Sequence, residues 1–378
     1  MSKAKLLLFT TDTLPYALHN INILSFPEGL SYRFRYQKSH FSKEVLDRFS
    51  SLQKNPETLS GYVVFRFNDG TYFPYRKVEL IRSFDCGNLG FFYVKLKGIV
   101  NISESTVADF TNRTNELLAE GERPPKKLVH LVEFKDDGLA AIEDVDERLN
   151  EAWTQSVDLL SKADNLKGRS FFRLELLKGL KKKEQCRPSN LSGDMRGYRL
   201  APGQDYLVQF FEYTAPRPNE KEDVVKTFSI SLKTDPNKAE ITKPEEVVDG
   251  RFDMFELAFS TLPEASGDAA YLRIENSQGN EDKKLPTIYI PYCVSLSPVW
   301  KTIRPILLLA SIIAFIDPKL VVWGIKGVLP NLPVSVVEFL AHFDKDKWIQ
   351  VAAIILFALS FWNFSFRSTL KNIKDIFK

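Results

Sequence analysis

Alternating apolar and polar residues fill the first 101 positions and predict a β-rich N-terminal domain. Six segments have the period of two that is typical of strands: residues 5–10, 17–25, 30–37, 61–67, 72–82 and 89–100. Gly70 and Gly87 separate two pairs of these segments, and glycine there supplies the positive φ of a tight hairpin turn. We therefore expect a sheet or a β-barrel over residues 1–101, interrupted by one helix over residues 42–52.

The next part of the chain divides into a mixed segment and a second β-rich domain. Residues 102–200 predict helices over about 103–120 and 150–163, with a strand at 127–134, and so form a mixed α/β segment. In residues 201–298, short alternating segments are separated by Pro, Gly, Asn and Asp: 206–214, 225–232, 252–259, 270–275 and 287–291. Their spacing is typical of an Ig-like β-sandwich.

Long apolar runs replace the alternation near the C-terminus and predict a transmembrane helical hairpin over residues 299–378. Residues 348–364 are long enough to cross a bilayer. Residues 305–316 cover only about 18 Å at 1.5 Å per residue. The first span therefore either begins near Val299 or continues through residues 317–319 and carries charges inward. The candidate pore or membrane residues are Asp317, Lys319 and Lys326.

Lysine and arginine residues are in excess on the outer flanks of the two predicted spans, whereas the loop between the spans also carries acidic residues. Because positive flanks stay on the cytoplasmic side, this predicts a two-span inner-membrane protein with both termini in the cytoplasm. The lipid bilayer is then a partner. The apolar run at residues 6–9 is shorter than the roughly 7–15 residues of a signal peptide, so residues 1–298 are expected to be cytosolic.

Charge and motif content exclude several classes of function. The 51 basic and 48 acidic residues leave a net charge of +3, which argues against binding to duplex nucleic acid. Cys86, Cys186 and Cys293 are scattered and odd in number, so no disulfide framework is expected. The sequence has no phosphate-binding glycine loop, no GxSxG and no HExxH. We therefore expect no enzymatic activity, no catalytic residue, no metal and no cofactor.

The segment from Tyr32 to Tyr36 is the strongest candidate for ligand binding. On a strand, Tyr32, Phe34 and Tyr36 share one face, and the two arginines between them share the other. Arginine forks beside aromatic rings suit phosphate binding and base stacking, although a core face backed by a solvated polar face has the same pattern. With the arginines of neighbouring predicted strands, the candidate ligand-binding residues are Arg33, Arg35, Arg66 and Arg76.

A large soluble region followed by a two-helix membrane hairpin is similar in layout to the membrane effectors of bacterial antiviral defence. The resemblance implies that a nucleotide second messenger or a partner protein binds the soluble region. The membrane part would then open an ion channel or disrupt the bilayer. Because two helices cannot enclose a pore, it also implies a homo-oligomer. The expected function is thus a membrane-anchored cytosolic sensor in antiviral defence, and the alternative is a passive anchored scaffold that presents a β-rich binding domain.

Overall fold

A computed structural model gives the architecture of the chain for the described residues. These are 4–11, 19–54, 59–119, 127–134, 139–143, 147–164, 166–167, 169–181, 185–215, 227–249, 252–262, 269–276, 287–295, 306 and 308–309. The helices are the 3-10 helices His19–Ser25 and Lys38–His40 and the α-helices α1 (Lys43–Lys54), α2 (Glu104–Ala119) and α3 (Leu149–Leu160). The strands are β1 (Ala4–Thr11), β2 (Ser31–Gln37), β3 (Ser60–Arg66), β4 (Tyr72–Cys86), β5 (Leu89–Val100), β6 (Val129–Phe134), β7 (Ala141–Ile142), β8 (Ser170–Gly179), β9 (Pro188–Ser192), β10 (Met195–Leu200), β11 (Asp205–Thr214), β12 (Thr227–Lys233), β13 (Ala239–Lys243), β14 (Glu245–Asp249), β15 (Phe252–Thr261), β16 (Ala270–Asn276) and β17 (Ile288–Val294).

The first sheet contains β1 to β7, in the order β2-β5-β4-β3-β1-β6 with β7 beside β5. Two of its inner strands, β1 and β3, run parallel with Leu7 opposite Gly61. Both strands are buried along most of their length, which fits their continuous apolar sequences. Helix α1 packs on one face of the sheet, where Phe49 meets Phe92. Helix α2 packs on the other, where Phe110 meets Tyr62.

Aromatic side chains fill the space beneath β2. The ring of Phe9 on β1 stacks on Phe34 of β2 at a centroid distance of 4.6 Å and meets Phe92 of β5 edge-on at 5.3 Å. Tyr36 lies 6.5 Å from the Phe9 ring, and its hydroxyl accepts a hydrogen bond from Asn20 Nδ2 at 2.9 Å. This cluster is buried and fixes β2 in position, so it also fixes the outward face of β2.

Two further sheets pack against each other. The second sheet has the order β13-β15-β11-β8, and the third has the order β14-β12-β16-β17-β10-β9. Their facing sides are apolar, and the rings of Phe259 on β15 and Tyr292 on β17 meet at 6.2 Å. The β-rich part of the expected fold is therefore confirmed, whereas the predicted domain limits at residues 101, 200 and 298 stay predictions.

Helix α3 joins the second sheet to the first part of the chain. Trp153 is fully buried and its indole N–H donates to the Leu24 carbonyl at 3.0 Å. The same ring meets Phe211 of β11 edge-on at 5.5 Å and lies 5.6 Å from the Arg173 guanidinium. Tyr213, also on β11, donates to Asp158 Oδ1 at 2.6 Å. One tryptophan thus connects the 3-10 helix at the first sheet with the second sheet.

Gly61 belongs to β3 and lies so close to Leu7 of β1 that there is no room for a side chain. A Cβ atom there would overlap the Leu7 carbonyl oxygen and lie 3.1 Å from the Leu7 Cβ. Gly61→Ala must therefore push apart two buried strands. We expect it to lower the free energy of unfolding, measured by urea denaturation, by about 1–3 kcal/mol.

Gly179→Ala is the matched control for this substitution. A Cβ atom at Gly179 on β8 would lie 3.8 Å from the Tyr206 ring, an ordinary contact. Because glycine within a strand is entropically costly, alanine there should leave stability unchanged to within about 0.5 kcal/mol or raise it. Equal losses in both variants would contradict the packing explanation for Gly61.

The described helices of the fold contradict the prediction of a transmembrane hairpin. Among the described residues, no helix is both long enough and apolar enough to cross a membrane. The longest described helix, α2, has 16 residues and so covers about 24 Å, against about 30 Å for a hydrocarbon core. It also carries Asp109, Arg113 and Glu116. The helices of the described residues therefore contradict the two-span hairpin and, with it, the predicted inner-membrane location with two cytoplasmic termini.

Most of the segment to which that prediction applied, residues 299–378, lies outside the described residues. In it the structure describes Ile306, Leu308 and Leu309, which are helical. The candidate pore or membrane residues Asp317, Lys319 and Lys326 are not among the described residues.

The strand predictions failed at one point near the N-terminus. Residues 17–25 were expected to be a strand, but His19–Ser25 forms a 3-10 helix. Ile21, Ile23 and Leu24 are all buried. Two adjacent buried positions break the alternation of a half-exposed strand but fit a tight helix packed in a core.

Candidate ligand-binding face

The outward side of β2 carries two arginines, as the alternation of the sequence predicts. Phe34 and Tyr36 point into the core, whereas Arg33 and Arg35 are exposed on the opposite face. The Cα atoms of two residues separated by one position on a strand are about 6.8 Å apart. Within the described part of the chain, neither guanidinium forms an ion pair with a carboxylate. Both positive charges are thus available to an anionic ligand.

Stacked aromatic rings from β4 and β5 lie on the same face. Arg33 is paired with Tyr93 and Arg35 with Phe91 across the strands, and the Arg33 guanidinium lies 5.7 Å from the Phe91 ring centroid. Phe91 in turn stacks on Phe84 at 4.8 Å with an interplanar angle of 8°. We name this surface the arginine–aromatic face; its residues are Arg33, Arg35, Arg82, Phe84, Phe91 and Tyr93.

Arg82 brings a third guanidinium to the arginine–aromatic face. It lies 5.5 Å from the Phe84 ring centroid and is bound by Asp194 at 2.8 Å. Its side chain nevertheless remains 55% exposed. Among the described residues, a carboxylate pairs with one of the three guanidinium groups of this face, that of Arg82. The face therefore has a local positive surplus that the net charge of the whole chain does not show.

Two lysines on β5 extend this positive surface. Lys97 is bound by Glu79 at 2.9 Å, and that contact raises the pKa of Lys97. Lys95 lies beside it, and its pKa is lowered, first by partial burial and then by the positive charges of Lys97 and Arg196. A lysine whose pKa is lowered by neighbouring cations marks a place where an added anion would be favoured.

The other two predicted ligand-binding residues lie elsewhere. Arg66 at the end of β3 is opposite Tyr72, about 33 Å along β4 from Arg82 at roughly 3.3 Å per residue. Arg76 is fully buried and shares the side of the sheet that holds Val63 and Ile99. The structure thus brings Arg33 and Arg35 together with Arg82, and it places Arg66 and Arg76 away from the arginine–aromatic face.

A hydrogen-bonded clasp joins this region of the first sheet to the β9–β10 hairpin of the third. Arg196 on β10 donates through Nε to the Gly29 carbonyl at 2.7 Å and through Nη1 to Asn190 Oδ1 at 2.8 Å. Its backbone N–H donates to Ser31 Oγ at 2.8 Å. Together with the ion pair between Arg82 and Asp194, these bonds hold the hairpin beside β2 and β4.

No sequence pattern indicated that two tyrosines of the third sheet would be part of a binding surface. Tyr271 on β16 and Tyr289 on β17 form an edge-to-face pair at 6.3 Å and are 44% and 48% exposed. Arg273 lies 5.9 Å from the Tyr289 ring centroid. The position of these rings relative to β2 depends on how the sheets are joined, which the local alternation of β16 and β17 does not encode.

The remaining clusters of polar side chains are structural. Buried Arg173 donates to Asn150 and, at 2.6 Å, to Glu175, and its guanidinium lies 5.6 Å from the ring centroids of both Trp153 and Phe211. These contacts anchor α3 on the second sheet. No group of three or more His, Cys, Asp or Glu side chains in the described residues is arranged to hold a metal ion.

Comparison with known proteins does not assign a function to the arginine–aromatic face. No protein-family model matches the chain, and no curated protein is significantly similar to it. The functional argument therefore depends on the geometry of the face itself.

Proposed function

We propose that the chain is a binding protein for a nucleotide or a short chain of nucleotides, which the arginine–aromatic face recognises. The observation that carries the proposal is the pair Arg33 and Arg35, two exposed guanidinium groups that have no carboxylate partner in the described residues and stand beside stacked rings. A guanidinium fork matches the oxygens of a phosphate group in geometry as well as in charge.

The rings favour a nucleotide over a simple anion. A plain phosphate-binding surface needs only cations, whereas this face interleaves its arginines with Phe84, Phe91 and Tyr93. A hydrogen bond to a charged group contributes about 1.5–3 kcal/mol, and base stacking on an aromatic side chain contributes about 1–3 kcal/mol per base. Two phosphate contacts and one stacked base therefore contribute about 4–9 kcal/mol before the entropic cost of association, which leaves weak binding, in the millimolar range.

Removal of both free guanidinium groups tests the proposal. We expect the double variant Arg33→Gln, Arg35→Gln to bind ATP and a single-stranded oligothymidylate about 100-fold more weakly than the unaltered chain, because two charged hydrogen bonds are lost. Isothermal titration calorimetry measures both affinities. Since both residues are exposed, the urea unfolding midpoint should stay almost unchanged.

The double variant Arg48→Gln, Arg113→Gln is the matched control, because it removes two exposed positive charges from helices α1 and α2, outside the arginine–aromatic face. It should leave both affinities within about twofold of the original values, since exposed charges outside the site are screened by salt. If the control variant and the variant Arg33→Gln, Arg35→Gln weakened binding equally, the loss would come from net charge alone, and a specific site would be refuted.

The second candidate is a scaffold that presents this surface to a protein partner. The half-exposed pair Tyr271 and Tyr289 favours it, because tyrosine and arginine are enriched in protein interfaces. If the unaltered chain binds neither ATP nor oligothymidylate, this second candidate replaces the first. The predicted role in antiviral defence, the homo-oligomer, the lack of enzymatic activity and the predicted partners stay predictions.

A further inference from the structure

The open aromatic surface and the free guanidinium groups belong to different sheets. Phe84 and Phe91 stack at an interplanar angle of 8°, so each ring covers one face of the other. The rings of Tyr271 and Tyr289 are inclined at 88°, and about half of each side chain is exposed. An edge-to-face pair leaves the outer face of one ring free for a stacked base. The better stacking surface is therefore on the third sheet, while Arg33 and Arg35 are on the first.

The two surfaces are close to each other. Burial raises the pKa of the Tyr271 phenol, and among its charged neighbours Arg33 lowers that pKa whereas Tyr93 raises it. Geometry gives the same proximity. The clasp bonds Arg196 of β10 to Gly29 and to Ser31, which lies two positions before Arg33 on β2, and β10 pairs with β17, the strand that carries Tyr289.

This juxtaposition requires a ligand that is anionic at one end and carries a base at the other. Charge complementarity gives the orientation of the ligand. Its anionic end lies at Arg33 and Arg35, where the positive surplus is, and its base lies at the uncharged rings of Tyr271 and Tyr289. Two guanidinium groups without carboxylates, on Cα atoms about 6.8 Å apart, provide for two successive phosphates. The two phosphates of a nucleoside diphosphate share a bridging oxygen and lie closer together than this spacing, so successive phosphates of a nucleotide chain match it better.

We propose that the ligand is a short single-stranded oligonucleotide that crosses the junction between the first and third sheets. Consecutive phosphates bind Arg33 and Arg35, and a base stacks on the pair Tyr271 and Tyr289. This inference rests on the proposed function and specifies its ligand. A ligand held through two phosphates needs few cations, so this proposal also agrees with the chain's net charge of only +3.

The experiment compares oligothymidylates of one to eight nucleotides by fluorescence anisotropy, with each length competing against a labelled octamer. Affinity should rise as the chain becomes long enough to reach both sheets and then level off. Tyr271→Ala and Tyr289→Ala together should weaken binding of the octamer about 5- to 150-fold, the range for loss of one stacked base. Tyr271→Phe with Tyr289→Phe should restore it, because the rings remain.

Salt dependence gives an independent readout of the number of phosphates. With two phosphate contacts on a single strand, the logarithm of the affinity should fall with the logarithm of salt concentration with a slope of about −1.4. In the double variant Arg33→Gln, Arg35→Gln the slope should approach zero.

The outcomes separate this inference from the proposed function. Binding that needs Arg33 and Arg35 but is unchanged by the tyrosine-to-alanine variants would overturn the crossing ligand and leave the nucleotide site intact. Mononucleotide affinity equal to that of the octamer would overturn it in the same way. A failure of every nucleotide to bind would overturn both.

Discussion

Trp153→Ala is expected to lower the free energy of unfolding by about 3–5 kcal/mol. The side chain is fully buried, so its removal leaves a large cavity between α3 and the second sheet. It also removes the hydrogen bond to the Leu24 carbonyl and the edge-to-face contact with Phe211. Arg173 would then lose one of the two aromatic rings that its buried guanidinium contacts. Urea denaturation followed by far-UV circular dichroism measures the loss.

Two variants of helix α3 divide this effect into its parts. Trp153→Phe keeps an aromatic ring but leaves the Leu24 carbonyl without its donor, and should cost about 1–3 kcal/mol. Thr154→Ala changes the next residue, which is only partly buried and whose hydroxyl bonds back to its own helix, and should cost less than about 0.5 kcal/mol. A loss below 1 kcal/mol for Trp153→Ala would show that α3 does not hold the sheets together.

Phe9→Ala should destabilise the first sheet by a similar amount, about 3–5 kcal/mol. Phe9 is fully buried on β1, an inner strand of the sheet, and contacts the rings of Phe34 and Phe92. The cavity would lie directly beneath the arginine–aromatic face. We therefore expect the variant to weaken ligand binding as well as stability, because β2 loses the packing that fixes the positions of Arg33 and Arg35.

Leu117→Ala on α2 serves as the comparison for this substitution. Leu117 is also a large apolar residue, but it is 40% exposed, so its truncation should cost less than about 1 kcal/mol. Phe9→Leu should fall between the two. If Phe9→Ala and Leu117→Ala had the same unfolding midpoint, the aromatic cluster beneath β2 would make no specific contribution to stability.

Local pattern was sufficient to predict most strands of the first sheet and the outward face of β2. The alternation from Tyr32 to Tyr36 placed Arg33 and Arg35 opposite the core because side chains on a strand alternate strictly. It could not place Arg66 and Arg76, since register and bulges decide which residues of neighbouring strands meet. β4 has bulged pairings on both sides of Arg76, and that arginine lies in the core.

The contribution of the third sheet to the site could not be predicted from the sequence. The β9–β10 hairpin, which Arg196 and Asp194 attach to the first sheet, brings Tyr271 near Arg33. The membrane spans were predicted from apolar runs, and no helix of the described residues is long and apolar enough to cross a membrane. An apolar run predicts exclusion from water, but it does not say which phase or surface excludes the water.

The position of β1 has a consequence for the order in which the chain can fold. β1 pairs with residues 61–65 on one side and with residues 129–134 on the other. During synthesis from the N-terminus, the run Leu6–Phe9 therefore exists for more than a hundred residues before both of its neighbours have been made. Such distant pairing slows folding and exposes an apolar strand to other chains. We expect the nascent protein to depend on chaperone protection until β6 has emerged.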